Sequence, residues 1–165
     1  MSKVMVVGIG NLIMQDDGVG VHAIKALEAL GLPGEVELID GGTNSYDLIE
    51  EFCRAEQLII VDAMHAGGEP GTIYRAPLEE LGLQSVETIT SLHEMHFVEA
   101  IKMTRMLGYN PPTIVFGIEP AEVAVSLELS HQVAKKLPRL VELMQEEILQ
   151  LLQEQHQKEI RMTEP

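Results

Sequence analysis

Cysteine and positive charge are both scarce in this sequence. Cys53 is the single cysteine among 165 residues, which excludes an internal disulfide, a thiolate metal cluster and a dithiol redox pair. Lys and Arg number 11 against 26 Asp and Glu, giving a formal net charge of −15. Because phosphate binding requires clustered Lys and Arg, we expect no nucleic-acid partner. An acidic surface is compatible with a basic peptide or a metal ion as ligand, although it also simply promotes solubility.

Long apolar runs and a secretory signal are also missing. No stretch reaches the roughly 18–20 apolar residues that cross a bilayer, so we expect no membrane partner. The opening apolar run is interrupted by Gly8, Gly10 and Asn11, unlike a signal peptide. We therefore expect a cytoplasmic protein that forms a single domain over residues 1–165, acts as a monomer and has a frayed tail from about residue 158.

Short apolar runs alternate with segments of helical periodicity along the chain. The apolar runs predict strands at residues 4–8, 36–39, 58–61, 72–75 and 113–117. The periodic segments predict helices at 18–30, 46–53, 94–107 and 130–157, with an irregular stretch over 77–92. Pro138 is expected to kink the last helix or to begin a new first turn. The alternation predicts a three-layer α/β fold, with a mostly parallel, twisted sheet of about five strands and helices on both faces.

Acidic residues follow four of the predicted strands. In parallel sheets of this kind, ligands bind outside the carboxyl ends of the strands. The acids at those positions are Asp16, Asp17, Asp40, Asp62 and Glu119. Any one of them alone would be explained as a helix cap or a solvated loop residue. If the strands are parallel, however, the acids converge on one edge, where carboxylates would repel each other and a cation would relieve the repulsion.

A histidine would complete such a metal site. His93 stands at the start of a predicted helix, and carboxylates with an imidazole suit a borderline divalent ion such as zinc or nickel. Three protein ligands would leave coordination positions open, as in catalytic sites. A lone histidine is more often a packing or surface residue, and spacing alone does not choose among the candidates. The others are His22, His65, His96 and His131.

Two other kinds of site are disfavoured. There is no Gly-x-Ser-x-Gly motif, and Cys53 lies in a helix-like segment, where it is best interpreted as a small buried hydrophobic residue. The segment Gly8-Ile9-Gly10-Asn11 resembles the opening of a dinucleotide-binding loop, but Ile13 occupies the place of the third glycine. The acids that follow would also repel a pyrophosphate. The glycines would instead allow a tight turn that presents Asp17.

The motifs, taken in their order along the chain, resemble the hydrogenase maturation endopeptidases from Val4 to about Leu149. Each motif alone is moderately specific, and together they are highly specific. The residues that carry the resemblance are the segment 8–20 (GIGNLIMQDDGVG), Asp40-Gly41-Gly42-Thr43, the segment 58–63 (LIIVDA), Ser91-Leu92-His93 and Gly117-Ile118-Glu119-Pro120. The fold of that family is a twisted, mostly parallel sheet between helices, which agrees with the α/β prediction.

The resemblance implies both a site and a substrate. Asp17, Asp62 and His93 match the metal ligands of the family, although Leu92 stands where the family often has proline. The acidic glycine turn of the family falls on residues 40–43, which suggests Asp40 as the catalytic residue and Gly41, Gly42 and Thr43 as substrate-binding residues. The substrate would be the large-subunit precursor of a nickel–iron hydrogenase, trimmed at its C terminus after nickel insertion. Nickel carried by the substrate would be the recognition element, with zinc or cadmium as surrogates and no tightly bound cofactor.

Two mechanisms and a second function stay open. The metal would either act as a Lewis acid that lowers the pKa of a bound water, or only dock the substrate while Asp40 acts as general base or orients the tail. The alternative function is a nickel-binding maturation scaffold without proteolysis. Such a scaffold would keep the three ligands and would not need Asp40.

Overall fold

The computed structural model describes residues 3–81 and 92–165, with side chains described at all these positions except 45 and 92–96. It contains five strands: β1 Val4–Ile9, β2 Val36–Gly42, β3 Leu58–Ala63, β4 Ile73–Pro77 and β5 Thr113–Ile118. They form one sheet in the order β2-β1-β3-β5-β4. Strands β2, β1, β3 and β5 are parallel, and β4 is an antiparallel edge strand beside β5. The predicted mostly parallel sheet is confirmed.

Helices cover both faces of this sheet. They are α1 Val19–Glu28, α2 Ile49–Arg54, α3 Leu92–Met106 and α4 His131–Thr163. Val4 of β1 belongs to the core that contains α1 and α4, whereas the next residue, Met5, belongs to the core that contains α2 and α3. Because both faces of the central strands are buried, these strands are continuous apolar runs rather than alternating ones. The three-layer α/β architecture is confirmed.

The four parallel strands bring their carboxyl ends to one side of the sheet. Gly8 of β1 pairs with Asp40 of β2, and the next pair is Ile9 with Gly42, so Gly41 is an extra residue in the edge strand. Loops from β1, β2, β3 and β5 all leave the sheet here. We call these four loops the carboxyl edge; they are residues 10–18, 40–48, 62–72 and 119–130.

The last helix is longer than predicted. α4 continues from His131 to Thr163, so Pro138 does not begin a new helix, and most of the tail that was expected to fray is helical. The Ser130 side chain caps α4 by accepting a hydrogen bond from Val133 N at 3.3 Å. Buried side chains recur along the helix at Val133, Leu140, Val141, Met144, Ile148 and Leu152. This packing offsets the backbone hydrogen bond that proline cannot donate.

The segment predicted to be irregular, residues 77–92, is described only at its ends. Leu78–Leu81 forms a short 3-10 helix, and residues 82–91 lie outside the described residues. α3 begins at Leu92, two residues earlier than predicted. Within residues 3–81 and 92–165, no helix is both long and apolar enough to cross a membrane.

Candidate active site

Two glycines bring helix α1 into backbone contact with the sheet. A Cβ atom on Gly8 would overlap the carbonyl oxygen of Gly20, and a Cβ atom on Gly20 would lie only 2.5 Å from the Val61 carbonyl oxygen and closer still to that of Ile9. Only glycine fits at either position. The N-terminal end of α1 is therefore held against the ends of β1 and β3. This contact accounts for Gly8 and Gly20 without a bound nucleotide.

Asp17 and Asp62 are both buried at the carboxyl edge. Asp17 lies just before α1, where its Oδ2 accepts a hydrogen bond from Asn11 N at 3.2 Å. Asp62 is near the end of β3, and its Oδ1 accepts from Ala63 N at 2.8 Å. Since β1 and β3 are neighbours in the sheet, the connection that contains Asp17 and the end of β3 that contains Asp62 lie on the same side of the sheet. The loops of the carboxyl edge contain no Lys or Arg, so a divalent cation would suit these two oxygen-donor side chains.

Asp16 has a different role from its neighbour. It is fully buried, and its Oδ2 accepts hydrogen bonds from Ala121 N at 2.8 Å, Glu122 N at 2.9 Å and Ser130 Oγ at 2.7 Å. Its Oδ1 accepts from Ser130 N at 2.8 Å. These bonds join the loop after β1 to the loop after β5 and satisfy backbone N–H groups that would otherwise be buried without partners. Asp16 thus reaches the carboxyl edge as predicted, but its carboxylate is used to hold two loops together.

Glu119 is likewise used by the backbone of a neighbouring loop. Its carboxylate accepts from Ala66 N at 2.8 Å, Gly67 N at 3.0 Å and the Tyr74 hydroxyl at 3.3 Å. Partial burial raises the pKa of Tyr74, and the nearby Glu119 carboxylate raises it further, so the phenol stays a donor. Glu119 thus orders the loop that follows Asp62. Residue type and spacing did not separate Asp16 and Glu119 from the candidate ligands, whereas the family resemblance matched only Asp17 and Asp62 to ligand positions.

Asp40 lies in the exposed last part of the edge strand β2, which continues to Gly42, so the turn predicted over residues 40–43 begins only at Thr43. Its Oδ1 accepts a hydrogen bond from Gly42 N at 3.0 Å, while the side chain as a whole remains exposed to solvent. Gly42 has a positive φ of 54°, a conformation that favours glycine. The Gly42 carbonyl accepts from Gly10 N at 2.8 Å, which ties this turn to the loop that carries Asp17. Thr43 follows and is exposed.

The third predicted ligand lies in a helix whose first turn is only partly described. His93 is the second residue of α3, but its side chain lies outside the described residues, as does that of His96. Among the side chains that the structure describes, no three His, Cys, Asp or Glu form a metal-binding group. A site made of Asp17, Asp62 and His93 therefore stays a prediction.

The remaining histidines lie in different surroundings. Burial lowers the pKa of His22 on α1, and the ammonium group of Lys25 lowers it further. His65 and His131 are exposed. Cys53 is half-buried in α2, away from the loops of the carboxyl edge.

Sequence comparison identifies the family to which this architecture belongs. A family model described as hydrogenase maturation protease matches residues 21–147. The chain belongs to the hydrogenase maturation protease family. The family resemblance inferred from the motifs is confirmed, because the model match covers most of the chain.

Two individual relatives and one solved structure show how far the similarity extends. The chain is 34% identical over 123 residues to the hydrogenase expression/formation protein HupD of Thiocapsa roseopersicina. The aligned region covers 73% of this chain but only 56% of that relative. It is 30% identical over 156 residues to the coenzyme F420 hydrogenase subunit delta of Methanothermobacter thermautotrophicus, covering 89% and 95% of the two chains. The structure of the hydrogenase maturating endopeptidase HybD from Escherichia coli superposes with a TM-score of 0.81, at 27% identity and 93% coverage of each chain.

Proposed function

We propose that this chain is an endopeptidase that removes the C-terminal extension of a nickel–iron hydrogenase large-subunit precursor after nickel insertion. The observation that carries the proposal is that Asp17 and Asp62 are both buried at the carboxyl edge, where Gly8 and Gly20 let α1 pack closely on β1 and β3, in a member of this family. The enzyme would be a metal-dependent, aspartate-type peptidase of the cytoplasm, active as a monomer.

Nickel would enter this site as part of the substrate. Two carboxylates and the imidazole of His93 are suitable donors for a borderline divalent ion, and three ligands leave positions for groups of the precursor. Bound by these side chains, the ion would hold the precursor at the site and would supply Lewis acidity there. Recognition of the loaded precursor would make cleavage conditional on correct nickel insertion. Isolated protein should bind nickel, zinc or cadmium only weakly.

The exposed end of β2 and the turn that follows it, residues 40–43, are the proposed location of proton transfer. Asp40 is an accessible carboxylate at this end of the sheet, and it would act as general base or orient the scissile tail. Gly41, Gly42 and Thr43 would contact the substrate. β2 is an edge strand, so among the described residues no strand pairs with its outer side. An extended precursor tail could hydrogen bond along that side, as peptides do in other edge-strand complexes.

A second candidate is a maturation scaffold that binds nickel-loaded precursor without cutting it. It is favoured by the match to the coenzyme F420 hydrogenase subunit delta, whose name describes a hydrogenase subunit rather than a protease. That match spans nearly the full length of both chains. The scaffold needs Asp17, Asp62 and His93 but has no requirement for Asp40.

One experiment separates these functions. Purified protein is incubated with nickel-loaded and nickel-free precursor, and the C terminus of the precursor is followed by intact mass. Loss of a C-terminal peptide from the loaded precursor alone is the expected result. Stable binding of the loaded precursor without any mass loss would favour the scaffold. Equal cleavage of both precursors would contradict recognition of nickel. An Asp62→Asn variant serves as the site control in each arm.

A further inference from the structure

Apolar side chains are exposed on the loop that joins β5 to α4, next to the segment that carries Asp17. Val125 is 84% exposed and Leu127 is 64% exposed, and Val123 and Ile13 are also exposed. Ile13 belongs to this surface because its carbonyl accepts a hydrogen bond from Ser126 N at 3.0 Å. We call these four side chains the loop patch. A group of large apolar side chains left in water beside a candidate site indicates an interaction surface.

The backbone under the loop patch is held in place at several points. Gln15 N donates to the Ser126 carbonyl at 3.0 Å, and Asp16 N donates to the Glu122 carbonyl at 3.2 Å. The buried Asp16 carboxylate fixes both ends of the loop through Ala121, Glu122 and Ser130. Because these bonds already order the loop, a partner would lose little free energy in ordering it on binding.

The charges around the loop patch indicate the chemistry of its partner. Glu122 and Glu128 lie within the same loop and are exposed. The four loops of the carboxyl edge contain no Lys or Arg, and Lys136 and Arg139 of α4 lie beside the loop between β3 and β4, where they line a pocket with Gly71. An apolar surface flanked by carboxylates is complementary to apolar side chains that lie next to Lys or Arg.

The same charges exclude other occupants. A second copy of the chain, docked through this face about a twofold axis, would place Glu122 and Glu128 against the carboxylates of the same edge. Anionic lipid and nucleic acid would be repelled in the same way. A polypeptide of opposite charge has no such conflict.

We propose that the loop patch docks a segment of a partner protein in which apolar side chains alternate with, or lie beside, Lys or Arg. Under the proposed function, on which this inference rests for the partner's identity, the segment belongs to the hydrogenase large-subunit precursor. The loop patch adjoins the Asp17 segment but contains no group suited to proton transfer. It therefore positions the precursor and contributes to affinity rather than to the chemical step.

A pair of matched double variants tests the apolar part of this surface. Val125→Ser with Leu127→Ser removes the two most exposed side chains of the loop patch. The control is Met106→Ser with Leu107→Ser at the end of α3, where the exposed fractions are 85% and 62%. We expect the loop-patch pair to raise KM for the nickel-loaded precursor about tenfold or more with kcat within about twofold, as for loss of an apolar anchor. The control pair should leave both constants unchanged. Equal KM in the two pairs, or a change confined to kcat, overturns the proposal.

Charge reversal tests the electrostatic part. Glu122→Lys with Glu128→Lys and the control Glu146→Lys with Glu154→Lys change the net charge by the same amount, and all four carboxylates are exposed. We expect only the first pair to weaken precursor binding, and we expect its effect to shrink as salt rises, since salt screens exposed charges. Equal weakening by both pairs would show that only net charge matters, which overturns the proposal.

A peptide probe keeps the inference separate from the proposed function. Fluorescence anisotropy measures binding of a synthetic peptide of alternating Leu and Lys and of its Leu and Glu counterpart. If the wild-type chain cuts no precursor, the proposed function fails. The docking surface is still supported if the chain prefers the Lys peptide and if Val125→Ser with Leu127→Ser weakens that binding. If the double variant binds the Lys peptide as tightly as the wild-type chain does, the docking surface is overturned. A dimer in sedimentation that the same substitutions dissociate also overturns it, because the occupant is then a second copy.

Discussion

The connections that follow β1 and β2 contain the same residue types and reach opposite outcomes. Both combine glycines with aspartates, and both leave the carboxyl edge of one sheet. In the first, Gly20 lies against the backbone of β1 and β3, and Asp16 and Asp17 are buried. In the second, Gly42 has open space around its Cα, and Asp40 is exposed.

Position in the sheet accounts for the difference. β1 is an interior strand whose helix crosses directly over the sheet, so its connection is enclosed on several sides. β2 is an edge strand, so among the described strands only β1 pairs with it, and Asp40 and Thr43 at its end are exposed. The packed connection is suited to holding ligands in fixed positions, and the exposed connection is suited to offering an accessible carboxylate. An Asp–Gly motif therefore does not define a role until burial is known.

The largest effect on activity is expected at the packed site. Asp62→Ala and His93→Ala should each reduce precursor processing below detection, because the metal presented by the precursor would lose a donor. The fold should survive, since removing one of several neighbouring carboxylates relieves repulsion. Intact mass of the precursor measures processing, and circular dichroism checks the fold. Unfolded variants would assign these residues a structural role instead.

In the exposed connection, Asp40→Asn should slow cleavage while precursor and nickel binding are retained. Loss of a general base typically costs about 10²–10⁴-fold in rate, whereas Asn would still accept the hydrogen bond from Gly42 N. Asp47→Asn is the matched control, because Asp47 is exposed in the same loop. Cleavage rate and precursor affinity are measured on the same samples. An unchanged rate would remove Asp40 from the mechanism, and lost affinity with intact turnover would make it a docking residue.

Asp16 and Asp17 should respond in opposite ways to the same substitution. Asp16→Asn replaces one buried carboxylate oxygen by an NH2 group, which cannot accept hydrogen bonds from the N–H and O–H donors around it. The free energy of unfolding should therefore fall by about 3 kcal/mol. Asp17→Asn should change stability little and abolish processing. Denaturant unfolding of both variants gives the comparison. Equal destabilisation would place the two neighbours in one structural group.

The glycines of the two connections give a smaller, purely structural contrast. Gly20→Ala forces a Cβ atom into backbone atoms of β1 and β3, and overpacking of this kind costs about 3 kcal/mol. Gly42→Ala meets open space and suffers only from its positive φ, at about 1 kcal/mol. The midpoints of urea unfolding rank the two variants. A reversed ranking would show that the first connection is less tightly packed than the structure indicates.

Metal removal should have the smallest effect of all. The isolated chain offers an incomplete set of ligands, so a mild chelator should leave the melting temperature unchanged within about 1 °C, given the usual relation between free energy and melting temperature. Metal content is measured before and after chelation. Stoichiometric zinc that resists the chelator would argue for a resident catalytic metal.

The amino-acid sequence was sufficient to predict the α/β class, the mostly parallel sheet and the positions of the strands that lead into the site. Buried parallel strands appear as continuous apolar runs, and glycine and acidic residues mark where they end. The motifs at those ends also identified the family. The predicted last helix ended near residue 157, whereas α4 continues to Thr163. Packing of its buried face lets the helix continue through Pro138 despite the local preference of proline.

The family resemblance matched Asp17 and Asp62 to ligand positions, but only the tertiary structure showed what Asp16 and Glu119 do. Asp16 and Asp17 are adjacent and chemically identical, and residue type alone does not reveal that Asp16 is hydrogen-bonded to Ser130, 114 positions away. The exposure of Val125 and Leu127 likewise depends on how Asp16 holds the loop after β5. Residue type and spacing indicate which side chains reach the carboxyl edge, because apolar periodicity and turn residues are local features that mark where each strand ends. Burial and hydrogen-bond partners set what each side chain does there, because both depend on segments far apart in the chain.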